Sequence, residues 1–222
     1  MLETLIASRS MLWENTLYTL YMTFGSAILA YCLGLPLGVW LTITSPNGLR
    51  PNRYVQSVLG WVVNMGRSIP FIILMLALIP VSRAVVGTMI GPKAAIVSLT
   101  VAAAPFIARM VESSLAEIDP GVVEAARSMG ATDWQIIYKV LLPESIPSLV
   151  RGASITVITI MGYSAMAGAV GAGGLGDVAI RYGYHRYQSE MMFITVILII
   201  IIVQIIQSIF SLCVRLIDKR NR

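Results

Sequence analysis

Five long apolar runs alternate with shorter polar stretches along this chain, at about residues 17–42, 54–79, 94–111, 146–167 and 191–214. Each approaches or exceeds the ~20 residues that a helix needs to cross ~30 Å of hydrocarbon. In lipid a backbone must satisfy its own hydrogen bonds, so runs of this length are expected to be helices. The pattern predicts an all-α membrane bundle of five spans, a single domain over residues 1–222. The first 16 residues carry Glu3 and Glu14 and lack a basic segment, so the first run is expected to be a retained span and not a cleaved leader.

The polar stretch between the third and fourth runs is patterned as two short helices. Asp119-Pro120 reads as an N-cap followed by proline at the first helical position. Val122, Ala125, Ala126 and Met129 then fall at i, i+3, i+4 and i+7, which is one helical stripe. Gly130 is placed to end that helix, and Thr132 with Gln135 spells a capping box for a second. Trp134, Ile137, Tyr138 and Leu141 repeat the spacing, and Pro143 is expected to stop it. Helices of this length cannot span. The hairpin lies at the membrane surface, either as an interfacial element or as a docking element for a partner.

Composition narrows the class. Hydrophobic residues make up 57% and charged residues 12%, with a mean hydropathy of +0.80. Soluble domains run near 25% charged, so an ordinary cytosolic enzyme is excluded, and disorder is excluded by the same numbers. The net charge of +5 points to basic loops facing the cytoplasm and not to nucleic acid. Arg50, Arg53, Arg127, Lys139, Arg215, Lys219, Arg220 and Arg222 fall on one side, with Arg109 and Arg151 at span ends there. Arg9, Arg83, Lys93, Arg181 and Arg186 fall on the other. The richer side is expected to be cytoplasmic, with the N-terminus outside and the C-terminus inside. Cys32 and Cys213 both sit in apolar runs, far from any metal-ligand spacing.

Most chemical constellations fail on inspection. None of Lys93, Lys139 and Lys219 follows a glycine, so no P-loop exists. Gly171-Ala-Gly-Gly-Leu-Gly176 spells a dinucleotide fingerprint, but it follows a membrane run where a strand would be required. Its glycines and alanines suit close helix packing or the wall of a path. His185 is the only histidine, which leaves no His-pair metal site. With Tyr182, Tyr184 and Tyr187 it resembles an interfacial aromatic belt. Glu112, Glu144 and Glu190 all lie at span ends, which disfavours an ion-coupled carrier.

Two places could line a passage. Arg67, followed by Ser68, lies inside the second run, where Pro70 is expected to loosen the helix at its preceding turn. An ion there is expensive, and it either binds backbone carbonyls for packing or faces a water-filled path or a partner. In the fourth run, Thr156, Thr159, Tyr163 and Ala167 fall near one helical face, with Met166 beside it. Two such faces across a dimer axis could close a hydrophobic constriction at Met166, the alternative being that Met166 fills a packing gap.

The hairpin carries a family signature. Glu124-Ala125-Ala126-x3-Gly130-x9-Val140-x-Leu142-Pro143 resembles the EAA loop of ABC importer permeases, departing only at Val140 where the pattern has isoleucine. The resemblance implies a type I importer-like permease domain whose loop, at Glu124, Ala125, Ala126, Gly130, Leu142 and Pro143, docks in a separate ATPase. A narrower likeness, over about residues 14–214, is to methionine-importer permeases, through Arg67–Ile73, Ala104–Glu112 and Gly162–Asp177. It implies a homodimer, two ATPase copies that bind the ATP and Mg, an extracytoplasmic substrate-binding lipoprotein, and methionine (D- or L-) as cargo. The chain itself is then no enzyme and carries no cofactor, and its place is the cytoplasmic membrane. A permease for another small amino acid, or an ATPase-independent channel or carrier, are the alternatives.

Overall fold

The computed structural model describes residues 2–217, and every regular element among them is helical. α1 (Leu2–Ala7) and α2 (Arg9–Thr44) come first, then α3 (Arg53–Ser68), α4 (Phe71–Ala77), α5 (Ile79–Val86) and α6 (Pro92–Ala116). α7 (Pro120–Ser128) and α8 (Asp133–Ile136) form the predicted hairpin. A π turn (Ile137–Leu141) leads into α9 (Leu142–Gly168), and α10 (Gly174–Val178), a second π turn (Ala179–Tyr184) and α11 (Ser189–Ile217) complete the order. Of the basic residues counted above, Lys219, Arg220 and Arg222 lie outside the described residues.

Four helical stretches are long and apolar enough to cross a membrane: α2, α6, the continuous Asp133–Gly168 rod and α11. The second run becomes a fifth span only when α3 and α4 are counted together. The break goes beyond the loosened turn expected before Pro70, a first correction, and Pro70 is its cause. Proline disfavours α conformation at Ile69 before it and has no N–H to continue a helix. Pro70 instead precedes α4, its carbonyl accepting from Ile73 and Leu74 at 3.0 Å each.

A second correction concerns Pro143, which stops nothing. It sits in the first turn of α9, directly after the π turn. A proline inside an α-helix loses one hydrogen bond and its ring meets the carbonyl four residues back. The wider i→i+5 turn just before it relieves both demands, so the helix runs on.

The chain packs as two compact units. One comprises Ile69–Ala103, Thr156–Ser208 and the stretch ending at Ala30. Its core gathers Leu12, Leu175, Val178, Met191 and Ile194, all at most 4% exposed. The backbone there is tightly packed at Gly176, where a Cβ would fall 2.3 Å from the Ala165 carbonyl oxygen. That resolves the glycine-rich stretch at this point as close helix packing. The first amides of α10 are satisfied from α2: Gly174 N–H donates to Asn15 Oδ1 at 3.1 Å and Leu175 N–H to Thr19 Oγ1 at 2.9 Å.

The other unit comprises Tyr31–Ser68, Ala104–Ile155 and the stretch from Ile209. Leu41, Val63 and Ala108 form its buried centre. Here α2 and α6 approach closely at Gly34 and Gly38, where a Cβ would come within 2.7 Å of Ile107 and 2.5 Å of Val111. Arg109 joins α6 to α3 through Asn64 Oδ1 at 3.0 Å, while Glu112 neutralises it at 2.6 Å.

Candidate functional site: the surface hairpin and the fourth span

The hairpin closes with the local chemistry its sequence announces. Asp119 Oδ1 accepts from Gly121 N–H at 2.8 Å, capping α7 with Pro120 in its first turn. At the other end Gly130 takes φ +80°, and Ala131 N–H reaches back to the Ala126 carbonyl at 3.1 Å. This is a left-handed helix stop of the kind glycine favours. Thr132 and Gln135 then make the reciprocal capping box, Thr132 N–H donating to Gln135 Oε1 at 2.8 Å.

Only part of each apolar stripe is covered. Ala126, Ile136, Ile137 and Leu141 are buried, whereas Met129, Trp134 and Tyr138 are 82%, 75% and 74% exposed. The second stripe therefore splits, with Ile137 and Leu141 inward and Trp134 and Tyr138 outward. Large apolar groups left in the open on a polar hairpin mark a surface that another molecule covers.

Two long-range ties hold the hairpin to the loop after α2. Arg127 Nη2 donates to the Leu49 carbonyl at 3.0 Å, and Arg50 Nε donates to Asp133 Oδ2 at 2.5 Å. Sequence reasoning missed both, and a bare acid at the start of α8 was the only hint. Exposed Glu124 lines a cavity of about 400 Å³ with Ser45, Asn47, Pro120 and Arg127. Ala125, Gly130 and Pro143 are also exposed, and Leu142 is half-buried.

The four proposed path residues are divided between the two units. Arg67 and Ser68 end α3 in one unit, while Tyr163 and Met166 lie on α9 in the other. Arg67 is exposed, and its side chain makes no hydrogen bond or ion pair among the described residues. Ser68 Oγ donates to the Asn64 carbonyl at 2.8 Å. The Tyr163 ring stacks on Phe71, with centroids 4.8 Å apart and planes within 6°.

The outward face of α9 also differs from expectation. Thr156 and Ala167 are fully buried, whereas Ile155 and Met166 are each 50% exposed. Thr156 and Ala167 turn into the chain's own core while Thr159 and Tyr163 stay half-buried, since lipid or a partner accepts apolar side chains.

The aromatic residues between α10 and α11 are largely in the open. Tyr184 and Tyr187 are exposed, and Arg186 lies 4.6 Å over the Tyr182 ring. Arg181 is paired to Asp177 at 2.5 Å.

Residues 34–222 match the family described as binding-protein-dependent transport system inner membrane component, and the chain belongs to that family. It is a multi-pass inner-membrane protein. It is 54% identical over 210 residues to the probable D-methionine transport system permease protein MetI of Vibrio cholerae serotype O1, across 95% of this chain and 93% of the relative. With the D-methionine transport system permease protein MetI of Escherichia coli K12 it shares 54% identity over 156 residues, 70% of each chain. It superposes at TM-score 0.94 and 49% identity on a chain of the MetNI methionine ABC transporter in an inward-facing form, covering 96% of this chain and 99% of that one. An amino acid ABC transporter solved with histidines, 21% identical at TM-score 0.73, shares the fold across 98% of this chain and 97% of its own.

Proposed function

We propose that this chain is the membrane-spanning subunit of an ATP-driven importer for methionine, working as a homodimer with two copies of an ATPase and an extracytoplasmic substrate-binding lipoprotein. The observation that carries the reading is the hairpin: two capped helices in the family's EAA pattern, with Glu124, Ala125, Met129 and Gly130 exposed. A surface of that kind suits the groove of a partner subunit. Identity of 54% to a probable D-methionine permease across nearly the whole chain supports the substrate.

ATP and Mg belong to the ATPase, and hydrolysis happens there. Glu124, Ala125, Ala126 and Gly130 supply the docking turn, while Leu142 and Pro143 carry its motion into α9. The loop side is cytoplasmic, so the N-terminus lies outside and the C-terminus inside. Met166, on the outward face of α9, meets its counterpart in the second copy and seals the passage. Tyr163 supports that face through its stack on Phe71. An unpaired guanidinium is costly in lipid and requires water or a partner, so Arg67 with Ser68 faces the path.

The test is uptake by the purified permease–ATPase complex in vesicles supplied with the binding protein and ATP. Labelled methionine should accumulate and be displaced by excess D- or L-methionine. Accumulation of another amino acid with no methionine competition would overturn the substrate. Uptake without any ATPase would overturn the class.

A further inference from the structure

The groove on the α2 side of the hairpin is distinct from the docking surface. The C-terminal half of α2, the loop after it and the start of the Asp133–Gly168 rod enclose a cavity of about 550 Å³. That is within the roughly 300–1,000 Å³ of small-molecule sites. Its walls are Pro36, Val39 and Trp40 on one side and Trp134, Ile137 and Tyr138 on the other. Arg50 and Asp133 are the only charged residues on it, and they are bonded to each other. An amino acid zwitterion finds no pair of polar counterparts there. A hydrocarbon chain does not need them.

Position identifies the source of that chain. The α2 wall runs from Leu35 to Ile43, about 12 Å at 1.5 Å per residue, and it belongs to a helix apolar enough to span the membrane. The groove therefore lies alongside lipid for most of its length. Trp40, Trp134 and Tyr138 are 53%, 75% and 74% exposed, the kind of ring that settles at the membrane–water boundary. At this mouth Arg50 is 73% exposed and engages Asp133 through Nε. A guanidinium has five N–H donors, so the remaining ones are available to an anion. Arg53, exposed at the start of α3, adds a second charge.

We propose that this groove holds one acyl chain of an anionic phospholipid, with its phosphate shared by Arg50 and Arg53. The leaflet is the cytoplasmic one, which rests on the topology proposed above. The lipid wedges between α2 and the hairpin and braces the ion pair that ties them.

The experiment uses the complete permease–ATPase complex in nanodiscs containing phosphatidylglycerol with a diazirine on one acyl chain. After illumination, label should be found in residues 35–43 and 134–142 as well as on the lipid-facing side of α11. In Val39→Trp, which fills the groove, the first two segments should lose label while α11 keeps it. In Arg53→Gln, an exposed change outside the Arg50–Asp133 tie, the excess of labelling over that by a phosphatidylcholine probe should be lost. Label on α11 alone would overturn the proposal and show that the ATPase or the second copy covers the groove. Undiminished label in Val39→Trp would overturn it as unspecific lipid contact, and no headgroup preference in the wild type would overturn the anionic assignment. ATPase retention and methionine uptake, measured on the same preparation, report separately on the importer reading. Impermeant-reagent mapping reports separately on the leaflet.

Discussion

Gly130 turns the chain between α7 and α8 at φ +80°, and a Cβ added there would meet nothing within 4 Å. Substitution at this position therefore carries a conformational cost with no steric one. The left-handed region costs an L residue roughly 1–2 kcal/mol, and asparagine tolerates it better than alanine. A β-branched side chain is a true outlier there and costs more. A cost of that size changes a local equilibrium by a factor of roughly 5–30. The closed turn should lose that much population in Gly130→Ala, less in Gly130→Asn and more in Gly130→Val. Hydrogen exchange at Ala131 reports it directly, because that amide is bonded to the Ala126 carbonyl at 3.1 Å only when the turn is closed. ATPase retention on purification should fall in the same order. Equal damage from all three side chains, or unchanged exchange at Ala131 in Gly130→Ala, would refute the backbone argument and point to a direct clash with the partner.

Glu124→Lys reverses an exposed charge without touching the core, so the chain should insert normally but lose ATPase on affinity purification. Gly176→Ala pushes a Cβ to 2.3 Å from the Ala165 carbonyl, a clash costing at least roughly 1–3 kcal/mol. Size-exclusion profiles should show less folded protein, whereas Gly130→Ala should leave them unchanged. Met166→Cys should cross-link between two copies in one nucleotide state only, and Met166→Ala should leak small solutes without ATP. Absence of both effects removes the gate. Cysteines at Asn47 and Met129 should resist an impermeant reagent in whole cells while one at Tyr184 reacts, and the reverse pattern would invert the topology.

The hairpin was legible in the sequence because everything that shapes it is local. Asp119-Pro120, the turn glycine and the Thr132–Gln135 box each act within a few residues, and each appears as written. The ties that fix its attitude were not legible. Arg127 reaches Leu49 across 78 positions and Arg50 reaches Asp133 across 83, and no local pattern encodes such a meeting. The outward face of α9 was misread for a different reason. In water a polar stripe marks the exposed side, but in a membrane bundle Thr156 turns inward and Ile155 and Met166 turn out. Pro70 and Pro143 show that a proline's effect depends on the turn before it. One breaks its run, while the other follows a π turn and is carried along.

That π turn makes the spacing between Gly130 and Pro143 an angle as well as a length. Each residue of an α-helix advances the azimuth by about 100°, and Ile137–Leu141 accommodates one residue more than a regular turn would. Deleting one residue there, so that the segment winds as plain α-helix, would swing Trp134 and Glu124 to another compass bearing around the axis of α9 while shortening the chain by a trifle. A crankshaft fails in the same way when its throws are cut at the wrong phase: every part is present and the stroke arrives at the wrong moment. The nine residues between Gly130 and Val140 set the bearing of the hairpin around the helix it leads into.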